Sequence, residues 1–185
     1  MDGLNIIEAS ETEPITLEEV KSHLRILTND EDTLISSYIS AARIWSEKHI
    51  NRSFVEKTFE YSIDCFSRNI KLPYPPLISI LSIEYTDVNE NTLTMLPSNY
   101  IVDTKSFIGR VYIEILPSVN LRKIGGISIR YKAGYKKLPE NLKHALKLII
   151  GHLYENREHT SVLKLSDIPF SALTLLDIDN ANMEI

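Results

Sequence analysis

His144 and His152 are the first residues of this chain to test for metal chemistry, and their spacing argues against it. Eight residues along a helix is just over two turns, so the two share a side but stand about 12 Å apart along the axis. One ion cannot bridge that gap. His152 and Glu155, three apart, could supply half of a carboxylate–histidine site, but no matching His/Glu pair occurs on the earlier helical segments. Polar surface or interface is their commoner role. Asp64, Asp87 and Asp103 fall at or near the ends of strand-like runs. Carboxylates that converge can exchange protons with a substrate, whereas separated ones serve turns and solvent. Arg157 beside Glu155 and Glu158 can form surface ion pairs worth about 0–1 kcal/mol each. Such pairs matter more where a partner subunit buries them. Lys132, Lys136 and Lys137 with Tyr131 and Tyr135 form the basic-aromatic cluster of the chain, which is small for a nucleic-acid patch and reads as a strand-to-helix junction. Gly125-Gly126 precedes a strand rather than a helix, which marks a turn and not a phosphate cradle. No G-x-S-x-G, P-loop or G-x-G-x-x-G occurs. These residues point to no catalytic site, no metal and no cofactor.

The totals bound the remaining classes. A chain of 185 residues is long enough for one domain with a proper core, with room for a subdomain. At 43% hydrophobic and 24% charged it has the composition of a globular protein. A net charge of −5 argues against a general nucleic-acid binder. The lone Cys65 leaves no internal disulfide and no cysteine zinc cluster, and it fits a reducing compartment. The first ten residues have neither a basic stretch nor an apolar run, so no signal peptide is expected. Nor does any segment approach the length of a membrane span.

The elements that must position these residues follow from periodicity. Residues 1–13 are polar and acidic and read as a loose arm. Thr16-Leu17-Glu18-Glu19 has the form of a capping box. With Leu17, Val20, Leu24 and Leu27 on one face, it predicts a helix over 16–27. Asn29-Asp30 ends that helix and can cap the next, over 31–50, where Leu34, Ile35, Tyr38, Ile39, Ala42 and Trp45 recur at helical spacing. Ala41 and Ala42 would admit a close partner helix, and Trp45 is expected in the core. From 54 to 135 the period changes to two, predicting five to six short antiparallel strands. Phe59, Tyr61, Ile63 and Cys65 alternate, as do Val111, Ile113 and Ile115, and Ile127, Ile129 and Tyr131. Residues 72–76 are too rich in proline for a central strand. The alternation slips between Ile80 and Leu81, which predicts a bulge or a strand buried on both faces. The residues Asp87-Val88-Asn89-Glu90-Asn91 form a turn. A last long helix spans 139–158, with Pro139 at its first turn and a stripe of Leu142, Ala145, Leu146, Ile149 and Leu153. Leu148 and Tyr154 lie off that stripe and call for a second neighbour. Gly151 costs about 1 kcal/mol relative to alanine and suggests another backbone close by. Residues 171–176 are a short apolar segment, and 177–185 read as a mobile tail.

The fold class is therefore α+β. A three-helix frame (about 16–27, 31–50 and 139–158) carries an inserted antiparallel β subdomain. The domain division is 1–53 with 136–185 for the helical unit, including its C-terminal tail, and 54–135 for the insertion.

Particular letters in that order carry a resemblance. Val20-Lys21-x-His23-Leu24-Arg25-Ile26 is followed by Asp30-Glu31-Asp32 and Tyr38-Ile39-x-Ala41-Ala42. Then come Leu72-Pro73 and Pro76-Leu77-x-Ser79-Ile80-x-Ser82-Ile83-x-Tyr85-x-Asp87. Tyr100-x-Val102-Asp103, Gly109-Arg110-Val111 and Tyr131-x-Ala133-Gly134-Tyr135 follow, and Pro139 and Gly151-His152-Leu153-Tyr154-Glu155-Asn156-Arg157-Glu158 close the series. Over about residues 17–160 the chain resembles the head–tail connector (adaptor or head-completion) proteins of long-tailed phages and prophages, in the branch with a β-rich insertion. It departs from them at Leu116-Pro117, where the family often has Trp-Pro, and at Asn89-Glu90-Asn91, where a glycine turn is usual.

The resemblance implies a structural protein without catalysis or cofactor. Family members form a ring, typically of about twelve subunits, under the portal. The ring extends the DNA channel, through which DNA passes without sequence-specific binding, and it joins the capsid to a stopper or tail-completion protein. The location implied is the head–tail junction of the virion, with the host cytoplasm during assembly. Tyr154, Glu155, Arg157, Glu158, Pro169, Phe170, Leu173 and Leu176 are the candidate subunit and portal interface. Two other readings stay open: a different phage or prophage binding module that uses the β insertion as its contact surface, and an enzyme.

Overall fold

The structure is a computed structural model and describes residues 3–10, 12–156 and 170–181. The chain divides into two compact units. One is built from residues 1–10 and 55–136, the other from 11–54 and 137–184.

The first unit is antiparallel β. Strands β1 (Gly3–Ala9), β2 (Lys57–Ile63), β8 (Ile127–Ala133), β4 (Leu77–Thr86) and β5 (Thr92–Thr94) form a five-stranded sheet in that order. Strands β3 (Asn69–Lys71), β7 (Arg110–Ile113) and β6 (Tyr100–Asp103) form a three-stranded sheet. The two share one core. In β8, Ile127, Ile129, Tyr131 and Ala133 are buried and alternate with polar Ser128, Arg130 and Lys132, as the period of two requires. Phe59 stacks on both Tyr74 and Tyr131, and the Tyr131 hydroxyl donates to the Pro73 carbonyl at 2.8 Å. Along β4 the register shifts between Leu77 and Ser79 and again between Ile80 and Ser82. The second shift is the slip legible in the sequence. Ala133-Gly134-Tyr135 ends the sheet because Gly134 sits at φ +123°, where a Cβ would lie 2.0 Å from the Val55 carbonyl oxygen.

The first strand overturns the expected loose arm. Gly3–Ala9 pairs with β2, with a bulge between Ile6 and Glu8. The bulge breaks the alternation, and at an outer edge only Leu4 is half-buried. A segment of that kind leaves no periodic trace. It also belongs to the β unit, not to the helical one.

The second unit is helical. Helix α1 (Leu17–Leu24) opens with the expected capping box: the Glu19 amide donates to the Thr16 hydroxyl at 3.1 Å, and the Thr16 amide to the Glu19 carboxylate at 3.0 Å. It ends three residues earlier than predicted, at a left-handed Arg25 (φ 58°). Leu27 therefore leaves the apolar face and is fully exposed. Helix α2 (Asp32–Ile50) buries Ile35, Ile39, Ala42 and Ile50. Glu31 occupies its N-cap and makes no side-chain capping bond, so neither Asn29 nor Asp30 serves as the cap. Trp45 is a second correction. It lies on the outer side of α2, 36% exposed, stacked on His49 at 4.9 Å. Helix α3 (Glu140–Glu155) starts after Pro139 and buries Leu142, Ala145, Leu146, Ile149 and Ile150. What approaches Gly151 is a side chain, Leu24 Cδ2 at 3.4 Å from a built Cβ, and not another backbone.

A fourth helix, α4 (Phe170–Asp177), packs on the others. The expectation of a mobile tail from 177 fails as far as Ala181. Ala172, Leu176 and Ala181 are buried, and the Ala181 amide donates to the Ile50 carbonyl at 2.9 Å.

Candidate subunit and partner interface

The helical unit is tied by two polar clusters that periodicity does not announce. In the first, Arg43 Nε and Nη2 donate to the two Glu13 oxygens at 2.6 and 3.1 Å, and Ser40 Oγ donates to the same carboxylate at 2.7 Å. Arg43 Nη1 reaches Glu47 at 3.2 Å, and Glu47, itself buried, accepts the Phe54 amide at 2.8 Å. Burial works against the charge on Arg43, but Glu13 and Glu47 outweigh it and push the guanidinium pKa up. The segment before α1 and the one after α2 are thus both fastened to α2.

The second cluster anchors α4. Arg52 Nη1 lies 3.3 Å from both the carbonyl and the carboxylate of Asp179, and Asn141 Nδ2 donates to the same carboxylate at 2.6 Å. His49 Nε2 stands 3.2 Å from Asp177.

Between α1 and α3, His23 and His144 meet edge to face with ring centroids 6.3 Å apart. Burial first, then His144 and Lys147, holds His23 below the ordinary imidazole value. Beside them Lys143 pairs with Glu19 at 3.3 Å. The Thr16 amide keeps the Glu19 carboxyl low, with help from Lys143.

The residues singled out as an interface separate. The Tyr154 hydroxyl donates to the Glu31 carboxylate and so locks α3 to the start of α2, which is the second neighbour its position called for. Glu155 ends α3, exposed. Arg157, Glu158 and Pro169 lie outside the described residues. Phe170 is 83% exposed, Leu173 is half-buried, and Leu176 is buried. Leu176 is corrected from docking residue to anchor of α4, because a side chain with no accessible surface cannot meet a partner.

The candidates for chemistry do not assemble. Asp64 accepts the Gly125 amide at 2.7 Å. Asp87 accepts the amides of Asn89 and Asn91 and organises the predicted turn. Asp103 accepts Ser106 Oγ at 2.6 Å, the amides of Ser106 and Lys105, and Arg110 Nε at 3.0 Å. Those bonds, Ser106 first, hold its carboxyl well below the usual range. Asp103 lines a groove of about 320 Å³ on the three-stranded sheet with Asn69, Ile101, Arg110 and Tyr112. The groove holds one carboxylate already satisfied as an anion, which suits a turn and not proton transfer. Tyr131 is buried, which removes it from the basic-aromatic cluster. Among the described residues, no three His, Cys, Asp or Glu side chains converge as a metal site, and no helix is long and apolar enough to cross a membrane.

Comparison with known proteins places this geometry. Residues 14–91 match the Phage gp6-like head-tail connector protein family. Among curated proteins none matches by sequence. Solved structures match along nearly the whole chain. A chain of the neck of an empty GTA particle computed with C6 symmetry is 18% identical, with a TM-score of 0.77 over 99% of this chain and 97% of that one. A chain of the virion of a native gene transfer agent (GTA) particle is 20% identical, with a TM-score of 0.79 over 98% and 97%. A chain of the neck of a native GTA particle computed with C12 symmetry is 19% identical, with a TM-score of 0.78 over 99% and 97%. Residues 14–91, through α1, α2 and β4, thus carry the pattern of the head-tail connector family, and the fold of the whole chain is that of these neck proteins.

Proposed function

We propose that this chain is a structural subunit of a phage or prophage neck. It assembles as a ring on the portal, extends the channel through which DNA leaves the capsid, and receives the stopper or tail-completion protein. It works in the virion, catalyses nothing and needs no cofactor. The observation that carries this reading is the end-to-end likeness to proteins of symmetric necks, one computed with C6 and one with C12 symmetry. The dispersal of Asp64, Asp87 and Asp103 into separate turns supports a role without chemistry. A net charge of −5 suits a channel that must not retain phosphates.

Electron microscopy of the purified chain mixed with its portal tests the proposal. Rings seated on the portal are the expected result. If the chain stays dispersed and never binds the portal, the proposal is wrong.

A further inference from the structure

A ring is closed by head-to-tail contacts, so each copy must offer two different surfaces that fit one another. Among its described residues the helical unit carries two different exposed apolar surfaces.

The first is a knob. Leu27 is 96% exposed in the turn between α1 and α2. The turn is pinned on both sides. The Ile26 amide donates to the Lys21 carbonyl at 2.9 Å across the left-handed Arg25. Lys21 Nζ then holds Asn29 at 2.7 Å and Asp32 at 2.6 Å. Leu27 is therefore presented from a rigid support, which lowers the ordering cost of a contact. Exposed Arg25 and Asp30 flank the knob with one charge of each sign.

The second is an apolar patch on the outer side of α2. Ile44 (46% exposed) and Trp45 (36%) lie there with exposed Ala41, whose small side chain permits close approach. The patch runs on to α4, because His49 stacks on Trp45 and reaches Asp177, next to Ile178, which is 69% exposed. Exposed Lys48 gives it a basic flank. A tryptophan in an apolar patch is the kind of residue that dominates interface energetics.

We infer that the Leu27 knob of one copy seats on the Ile44–Trp45 patch of the next, with Asp30 facing Lys48 across the joint. The occupant is a second copy of this chain, on two grounds: each surface carries one exposed charge of each sign, Arg25 and Asp30 beside the knob and Lys48 and Asp177 beside the patch, so opposite charges can face one another, and the surfaces differ, as a cyclic contact demands. This rests on the ring proposed above and names its contact. Within one copy Asp30 and Lys48 cannot meet, since the rise of α2 separates its first and last turns by about 24 Å.

The test counts rings on portal for the full-length chain and its variants. Leu27→Asp and Trp45→Ala each abolish rings; Leu27→Asp melts like wild type, and Trp45→Ala, which gives up the stack on His49, melts somewhat lower while still folded. Asp30→Lys raises the concentration needed for half-maximal ring formation about tenfold, and adding Lys48→Glu in the same chain restores it. Only a contact between copies can produce that rescue. If wild type forms rings and the Leu27→Asp and Trp45→Ala chains form them equally well, the joint lies elsewhere and the inference falls while the ring stands. The charge-reversed double variant failing to recover would overturn the pairing of Asp30 with Lys48. Absence of rings with wild type would defeat the reading beneath it.

Discussion

Glu47 shows best how one residue's role departs from its type. Periodicity puts it among the polar positions of α2, yet it is buried between Arg43 and the Phe54 amide. Replacing it by alanine strands a buried amide and removes one partner of a half-buried guanidinium. Glu47→Ala should cost about 2–4 kcal/mol in urea unfolding. Glu47→Gln keeps an acceptor for Phe54 and should cost clearly less; equal losses would mean that the charge and not the acceptor matters. His23 predicts a pH effect. Its folded pKa lies below the ordinary 6.5, so the unfolded chain takes up a proton that the folded chain refuses. This contribution to stability is complete above that pH and is lost progressively below it. The charged groups acting on His23 are His144 and Lys147 on α3. Thermal melts of His23→Gln should therefore lose less between pH 7 and pH 5 than those of the wild type. Parallel curves would assign the acid sensitivity to other groups.

At the scale of elements, α4 is the piece whose character changed most. Its segment reads as apolar in sequence, but eight residues cannot show which face is buried. Contact with α2 and α3 decides it, turning Ala172 and Leu176 inward and Phe170 outward. Leu176→Ala should cost about 2–4 kcal/mol, or less if α4 detaches before the rest unfolds. Limited proteolysis separates the two cases: cleavage confined to 170–181 marks local release, and general cleavage marks loss of the whole unit. Phe170→Ala should leave stability unchanged. The docking of α4 also alters what truncation means, because removing 161–185 strips the anchors at Leu176 and Asp179 from the helical unit. Weaker portal binding after such a deletion would not by itself identify a docking tail.

At the scale of the whole molecule, the portal-mixing experiment is the decisive one, because no single unit announces a ring. Much was legible beforehand. Strict alternation in 127–131 and in 59–63, the slip at Ile80, the capping box at Thr16 and the stripe of α3 are local patterns, and local sterics and burial enforce them wherever the chain goes. The ordered letters from Val20 to Glu158 likewise carried the family resemblance without any coordinate. By itself, then, the sequence determined most element types, the α+β class, the absence of a recognisable reaction motif and a resemblance to head–tail connectors. Tertiary structure alone decided that residues 3–9 become an edge strand, that α4 closes the helical unit, that Glu47 is buried, and that Leu27 and Trp45 face outward. For the strand and for α4 the physical reason is the same: each outcome depends on a partner distant in the chain, β2 for the strand and Ile50 and Arg52 for the residues after α4. A local pattern cannot record which distant surface will cover it.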